Sequence, residues 1–141
     1  LEGAIEWAYA VGRLHLAIEL LESLRKHTTE PLPGRIFYLE NILPPLVEAA
    51  DALGLTDDQM AAMQAPVWAL IREKQIAAGA VGIEDEVYND GSPFISRTFE
   101  LPLPFEEILQ LEEALVKAQS EQEEALPIWD FSVSLREREA A

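Results

Sequence analysis

The chain has 141 residues, with 26 Asp and Glu against 10 Lys and Arg, for a formal net charge of −16. Its 49% hydrophobic and 8% aromatic residues supply enough apolar surface to offset chain entropy, which excludes an acidic disordered tail and predicts one domain, residues 1–141, around one core. The absence of cysteine excludes a disulfide scaffold, a cysteine nucleophile and an iron–sulfur cluster, and ten scattered basic residues form no stripe for a phosphate backbone or an anionic membrane face.

From Ala4 to His27, apolar side chains recur at Trp7, Val11, Leu14, Ile18 and Leu21, with Ala10, Ala17 and Leu24 widening the stripe. That three- and four-residue spacing predicts one long helix. Arg25, Lys26 and His27 suit its C-terminal dipole, and Pro31-Leu32-Pro33-Gly34 stops it. A second helical region spans Arg35 to Leu53, with Ile36, Leu39, Leu43, Leu46, Ala50 and Leu53 on one face and Gly54 as its cap. Pro44 and Pro45 remove two donors within it and predict a kink or a split into two short helices. Thr56 and Gln59 form a capping box ahead of Met60, Met63, Val67, Leu70 and Ile71. Pro66 is expected to divide this third region into a short helix and one reaching Ala78, ended by Gly79 and Gly82.

The period then changes. Asn89-Asp90-Gly91-Ser92 marks a turn between Glu86-Val87-Tyr88 and Phe94–Leu101, where Ile95, Phe99 and Leu101 alternate with Ser96, Thr98 and Glu100. Only the basic Arg97 departs from the pattern, and a hairpin is the natural reading. Pro102 and Pro104 close strand pairing and open a helix to about Gln119, with Phe105, Ile108, Leu111, Leu115 and Ala118 as its seam. After Pro127, Trp129, Phe131, Val133 and Leu135 alternate with polar residues. They read as a strand with one buried face that joins the hairpin by returning across that helix. The fold class is therefore α+β, with a helical part over residues 1–80 and the hairpin, acidic helix and final strand over 81–135. A small antiparallel sheet of two or three strands and a frayed tail at 136–141 complete the expectation.

Catalytic patterns are sparse. The two histidines have structural readings, His15 beside an apolar stripe and His27 at a helix C-terminus. There is no Gly-x-Ser-x-Gly, and Gly79-Ala80-Val81-Gly82 lacks the third glycine and the basic residue of a phosphate loop. Glu84-Asp85-Glu86 with Asp90 fails the EF-hand spacing, because Tyr88 falls where an oxygen ligand is required. No catalytic residue, cofactor or metal is expected on this reading, and the chain reads as non-enzymatic.

One carboxylate pattern is organised. Glu19-Leu-Leu-Glu22 and Glu48-Ala-Ala-Asp51 put two acidic pairs, each one helical turn apart, on two successive helices, with twenty-five residues between the pairs. Four such carboxylates can hold magnesium, which grips a nucleotide's phosphates and activates water. Over roughly residues 16–53 this ExxE…ExxD arrangement resembles the MazG-like nucleotide pyrophosphohydrolases, and residues 46–53 look like the second half of that family's motif. The resemblance implies an all-helical fold and magnesium ligated by Glu19, Glu22, Glu48 and Asp51. Pro44, Pro45 and the sheet expected after them depart from that family, and the same residues also describe the solvated edges of two amphipathic helices.

The other organised feature is the last helix. Seven Glu and one Lys fall between Pro104 and Leu126, and half the chain's net charge falls in residues 100–141. Glu106, Gln110, Glu113, Lys117, Glu121 and Glu124 trace one stripe, either a solvated face or a docking surface for a basic partner. Trp7, Trp68 and Trp129 lie on apolar faces and are expected in the core, whereas Tyr88 and Phe94 flank the turn and cannot both be buried if the hairpin projects. The expected function is an acidic protein-binding domain, an inhibitor or regulator that docks on a basic surface of a nucleic-acid-processing protein such as a polymerase, nuclease or transcription factor. Its expected docking residues are Glu106, Glu113, Glu121, Glu124, Tyr88 and Phe94. No apolar run spans a bilayer and no charged-then-apolar leader is visible, so a soluble, cytoplasmic protein is expected. The alternatives are a magnesium-dependent pyrophosphohydrolase of the MazG-like kind and a structural subunit of a homo-oligomeric assembly.

Overall fold

Gly12 breaks the first apolar stripe. A computed structural model describes residues 2–32, 34–88, 93–121 and 130–138, and the segment expected as one helix folds as two, α1 (Glu2–Val11) and α2 (Leu14–His27). At φ +90°, Gly12 closes α1 in a Schellman motif: its N–H donates to the Tyr9 carbonyl at 3.2 Å and the Arg13 N–H to the Ala8 carbonyl at 2.8 Å. Arg13 offers α2 no side-chain cap. Asp57 supplies it from another helix, accepting the His15 N–H at 2.9 Å and the Leu16 N–H at 3.0 Å.

The prolines do not divide the next two helices. α3 (Gly34–Leu53) runs through Pro44 and Pro45, whose rings are exposed, while Leu39, Leu43, Leu46, Ala49 and Ala50 are buried on its other side. Packing along one face holds the helix across the two missing donors. α4 (Asp57–Glu73) starts from the expected Thr56–Gln59 capping box and passes Pro66, with Met60, Met63, Val67 and Ile71 buried on both sides of it. It ends at Glu73 rather than Ala78, and Ala78–Ala80 form a separate 3₁₀ turn.

β1 (Gly82–Tyr88) and β2 (Phe94–Leu101) pair antiparallel, with Tyr88 opposite Phe94, while the turn expected at residues 89–92 lies outside the described residues. α5 (Phe105–Ser120) then leads to β3 (Phe131–Glu137), which lies beside β2 in parallel, Ile95 opposite Phe131. The α+β class is as expected, but the third strand makes the three-stranded sheet, ordered β1-β2-β3, mixed rather than antiparallel throughout. The reason is the crossover: the chain leaves the end of β2, returns along α5, and so re-enters the sheet in the direction of β2. β3 also takes in Arg136 and Glu137, which were expected in a frayed tail, and the Arg138 N–H donates to the Leu101 carbonyl at 2.8 Å.

The five α-helices among the described residues lie on one face of the sheet. Ile95 and Phe131 join α1, α2, α3 and the start of α4 in one apolar cluster, and Phe99, Leu101 and Leu135 join the end of α4 and α5 in another. The opposite face alternates to Ser96, Thr98, Ser132 and Ser134, with Arg136 bridging Glu84 and Glu100. Trp7 is not in the core: it is 55% exposed, because the break at Gly12 frees α1 to bury Ile5, Ala8 and Tyr9 instead. Trp68 is half-buried, edge-on to Phe99, and Trp129 lies outside the described residues. Among the described residues no helix is long and apolar enough to cross a membrane.

Candidate functional site

α5 buries Ile108, Leu111 and Leu115 and turns its other side to solvent. Glu106, Gln110, Glu113, Lys117 and Glu121 are all exposed, as the stripe predicts, and Glu124 lies outside the described residues. Phe105, expected in the buried seam, is 61% exposed, and Leu109 and Val116 are 47% and 65% exposed. At 3.6 residues per turn these three form an apolar strip on the flank next to Glu106 and Glu113. Two other carboxylates of the helix are engaged: Glu107 pairs with Lys74 at 3.8 Å, and Glu112 accepts the Leu135 N–H at 3.1 Å, covering part of the edge of β3. Glu106, Glu113 and Glu121 have no ion-pair partner among the described residues.

The aromatic pair expected to share that surface stands elsewhere. The Tyr88 and Phe94 rings are 5.9 Å apart, Tyr88 is 48% exposed, and its hydroxyl donates to Glu86. Their side chains alternate with Val87 and Ile95, which pack against the helical core, so they project from the opposite sheet face. The hairpin aromatics and the α5 carboxylates do not form one site.

Nor are Glu19, Glu22, Glu48 and Asp51 gathered around an ion position. All four are exposed, because α2 and α3 turn Leu14, Ala17 and Leu21 and Leu43, Leu46 and Ala50 inward. No group of three or more His, Cys, Asp or Glu among the described residues is placed to hold a metal ion. Asp51 instead accepts from His15 Nε2 at 2.7 Å, and Nδ1 of the same ring lies 2.7 Å from Asp57. Partial burial opposes charge on this imidazole, but its bonds to Asp51 and Asp57 outweigh that and raise its pKa above the ordinary value. His15 is thus a clamp joining α2, α3 and α4.

Arg97 is visible in the sequence only as a departure from alternation. It is fully buried, and the hairpin register sets it opposite Asp85. Its Nε donates to Asp85 Oδ1 at 2.7 Å and its Nη2 to Oδ2 at 3.1 Å, a bidentate pair. Nη1 donates to the Tyr9 carbonyl at 2.6 Å and to Gln64 Oε1 at 2.9 Å, and the guanidinium lies 4.4 Å from the centre of the Tyr9 ring. The Tyr9 hydroxyl donates to Asp85, and Gln64 Nε2 donates to the Met60 carbonyl at 3.1 Å. Burial opposes the charge of Arg97, but Asp85 outweighs it and keeps the guanidinium protonated. Burial, joined by the charge of Asp85 and opposed by that of Arg97, pushes the Tyr9 hydroxyl far up, so it serves as a donor and not as a base.

Tyr9 also lines a cleft of about 780 Å³ between α1, α3, α4 and the chain entering β1. Trp7, Tyr38 and Trp68 face it, together with Glu6, Arg35 and Arg72. No sequence motif marks this cleft, because its residues come from four separate segments. The chain matches no protein-family model, and neither a curated protein nor a solved structure gives a significant match.

Proposed function

We propose that the chain is a non-enzymatic protein-binding domain that docks the outer side of α5 on a basic surface of another protein and so inhibits or regulates it. The observation that carries this reading is the adjacency of Phe105, Leu109 and Val116, all exposed, to the carboxylates of Glu106 and Glu113, which have no ion-pair partner among the described residues. A purely solvated face needs carboxylates but no apolar strip beside them, whereas a docking surface combines an apolar centre with a polar rim. At about 1.5 Å per residue the helix is roughly 24 Å long, enough to place such a strip at the centre of a standard interface of about 800 Å² per partner. The net charge of −16 then steers a basic partner toward it. Basic surfaces concentrate on proteins that handle phosphate backbones, so a polymerase, nuclease or transcription factor is the partner class proposed.

The test compares capture of such partners by the native domain and by its Glu106→Lys/Glu113→Lys and Phe105→Ser/Val116→Ser variants, at two salt concentrations. Each variant is expected to bind at least about tenfold more weakly, and raising salt should weaken the native complex but not rescue the charge-reversed one. Equal binding by all three proteins overturns the assignment of α5.

A further inference from the structure

We propose that the cleft between α1, α3 and α4 binds a small ligand consisting of a planar aromatic ring that carries one anionic group. The site is separate from the docking face, since no residue of α5 lines it. Its volume of about 780 Å³ lies within the roughly 300–1,000 Å³ of pockets that enclose small molecules.

The walls specify a flat ring. Trp7 and Tyr38 are 55% and 50% exposed although both line the cleft, so their apolar faces are left uncovered by the fold itself. Trp68 forms a third wall, and its indole N–H is already spent on the Ala10 carbonyl at 3.1 Å. What these side chains can still offer is π surface, which a planar ring fills by offset or edge-to-face stacking.

The charges specify an anion. Carboxylates outnumber basic residues 26 to 10 in this chain, and Arg13, Arg25, Lys74, Arg97 and Arg136 each stand in an ion pair. Arg35 and Arg72 both line the cleft and have no carboxylate within ion-pair distance among the described residues. Glu6 is the single carboxylate among the described lining residues, so two basic side chains face one acidic side chain on a strongly anionic protein. A guanidinium supplies a planar fork of donors to a carboxylate or phosphate and also stacks on aromatic rings, so two of them beside four aromatic side chains match an aromatic anion on both counts.

One side of the cleft is held in place. Tyr9 is fixed by Arg97 and Asp85, and Trp68 ties α4 to the end of α1, so these two walls need no ordering on binding.

The test titrates the protein with 2-naphthoate, 2-naphthyl phosphate, the matched cation 2-naphthylmethylammonium and the non-aromatic cyclohexanecarboxylate, read by tryptophan fluorescence and calorimetry. At least one naphthyl anion should bind saturably, and the two anions together show whether carboxylate or phosphate is preferred. The cation and the alicyclic acid should bind at least about tenfold more weakly. Arg35→Gln/Arg72→Gln changes two exposed side chains and should abolish the preference for anion over cation without altering circular dichroism, whereas Trp7→Leu should weaken every naphthyl probe. The proposal fails if the cation binds as tightly as the anions, if the double variant keeps the preference, or if no anion saturates. It also fails if light scattering shows the chain self-associating in a way that Trp7→Leu abolishes, because a second copy would then be the occupant.

Discussion

Replacing Gly12 with alanine should cost the domain a large part of its stability through two separable effects. The backbone there has φ +90°, a conformation that an L side chain adopts at a cost of about 1–2 kcal/mol. The added Cβ would also lie 1.9 Å from Gln64 Nε2 and 2.8 Å from its Cδ, so the amide has to leave its position. Gln64 Oε1 accepts from the buried Arg97, and losing a hydrogen bond to a charged buried group costs about 1.5–3 kcal/mol. The sum, about 2.5–5 kcal/mol, is a substantial fraction of the roughly 5–15 kcal/mol that holds a domain folded. Urea unfolding of Gly12→Ala, Gln64→Ala and the double variant separates the parts. Shortening Gln64 removes the clash, so the double variant should lose at least about 1 kcal/mol less than the sum of the single losses. Additive losses, or a loss below about 1 kcal/mol for Gly12→Ala, would refute the proposed coupling between the α1 turn and the buried arginine.

Arg97→Met should destabilise the protein by about 3–5 kcal/mol, because it strands the Asp85 carboxylate beside a single hydroxyl, and adding Asp85→Leu should recover part of that loss. Denaturant midpoints check this, and a double variant less stable than the single one contradicts it. His15 makes stability depend on pH. Its pKa is raised on folding, so its contribution is complete below its ordinary value of 6.5 and fades as pH climbs through the raised value, where neutral imidazole can donate to only one of Asp51 and Asp57. The stability gap between the native chain and His15→Gln should therefore be widest below pH 6.5 and narrow as pH rises above it; a gap that is constant, or that widens with pH, contradicts the clamp.

Signals that act within a few residues were legible in the sequence. The Thr56–Gln59 capping box, the hairpin, the outward carboxylates of α5 and the alternation of the last strand are of this kind, since each is a rule about neighbours along the chain. The break at Gly12 was not, because the stripe continues across it and the cap of α2 comes from Asp57, 42 residues from His15. The splits expected at the prolines do not occur for a related reason: the donors they remove are local, whereas the packing of Leu43, Leu46, Met63 and Val67 that keeps α3 and α4 continuous is tertiary. Arg97 did leave a trace. A lone charge among Ile95, Phe99 and Leu101 on a buried strand face demands a partner, and Asp85 sits opposite it in the hairpin register. The cleft left none, because Trp7, Arg35, Tyr38, Trp68 and Arg72 converge only after α1, α3 and α4 have packed.

The role of α5 is tested most directly by carbodiimide-driven labelling of its carboxylates, free and in complex with a captured basic partner. Protection of Glu106, Glu113 and Glu121 by at least about threefold on binding is predicted, with Glu6 at the cleft and Glu84 and Glu86 on the sheet labelled as in the free protein. Unchanged labelling of the three α5 residues in a saturated complex, or protection that falls on Glu6 or Glu84 instead, would contradict docking through this helix.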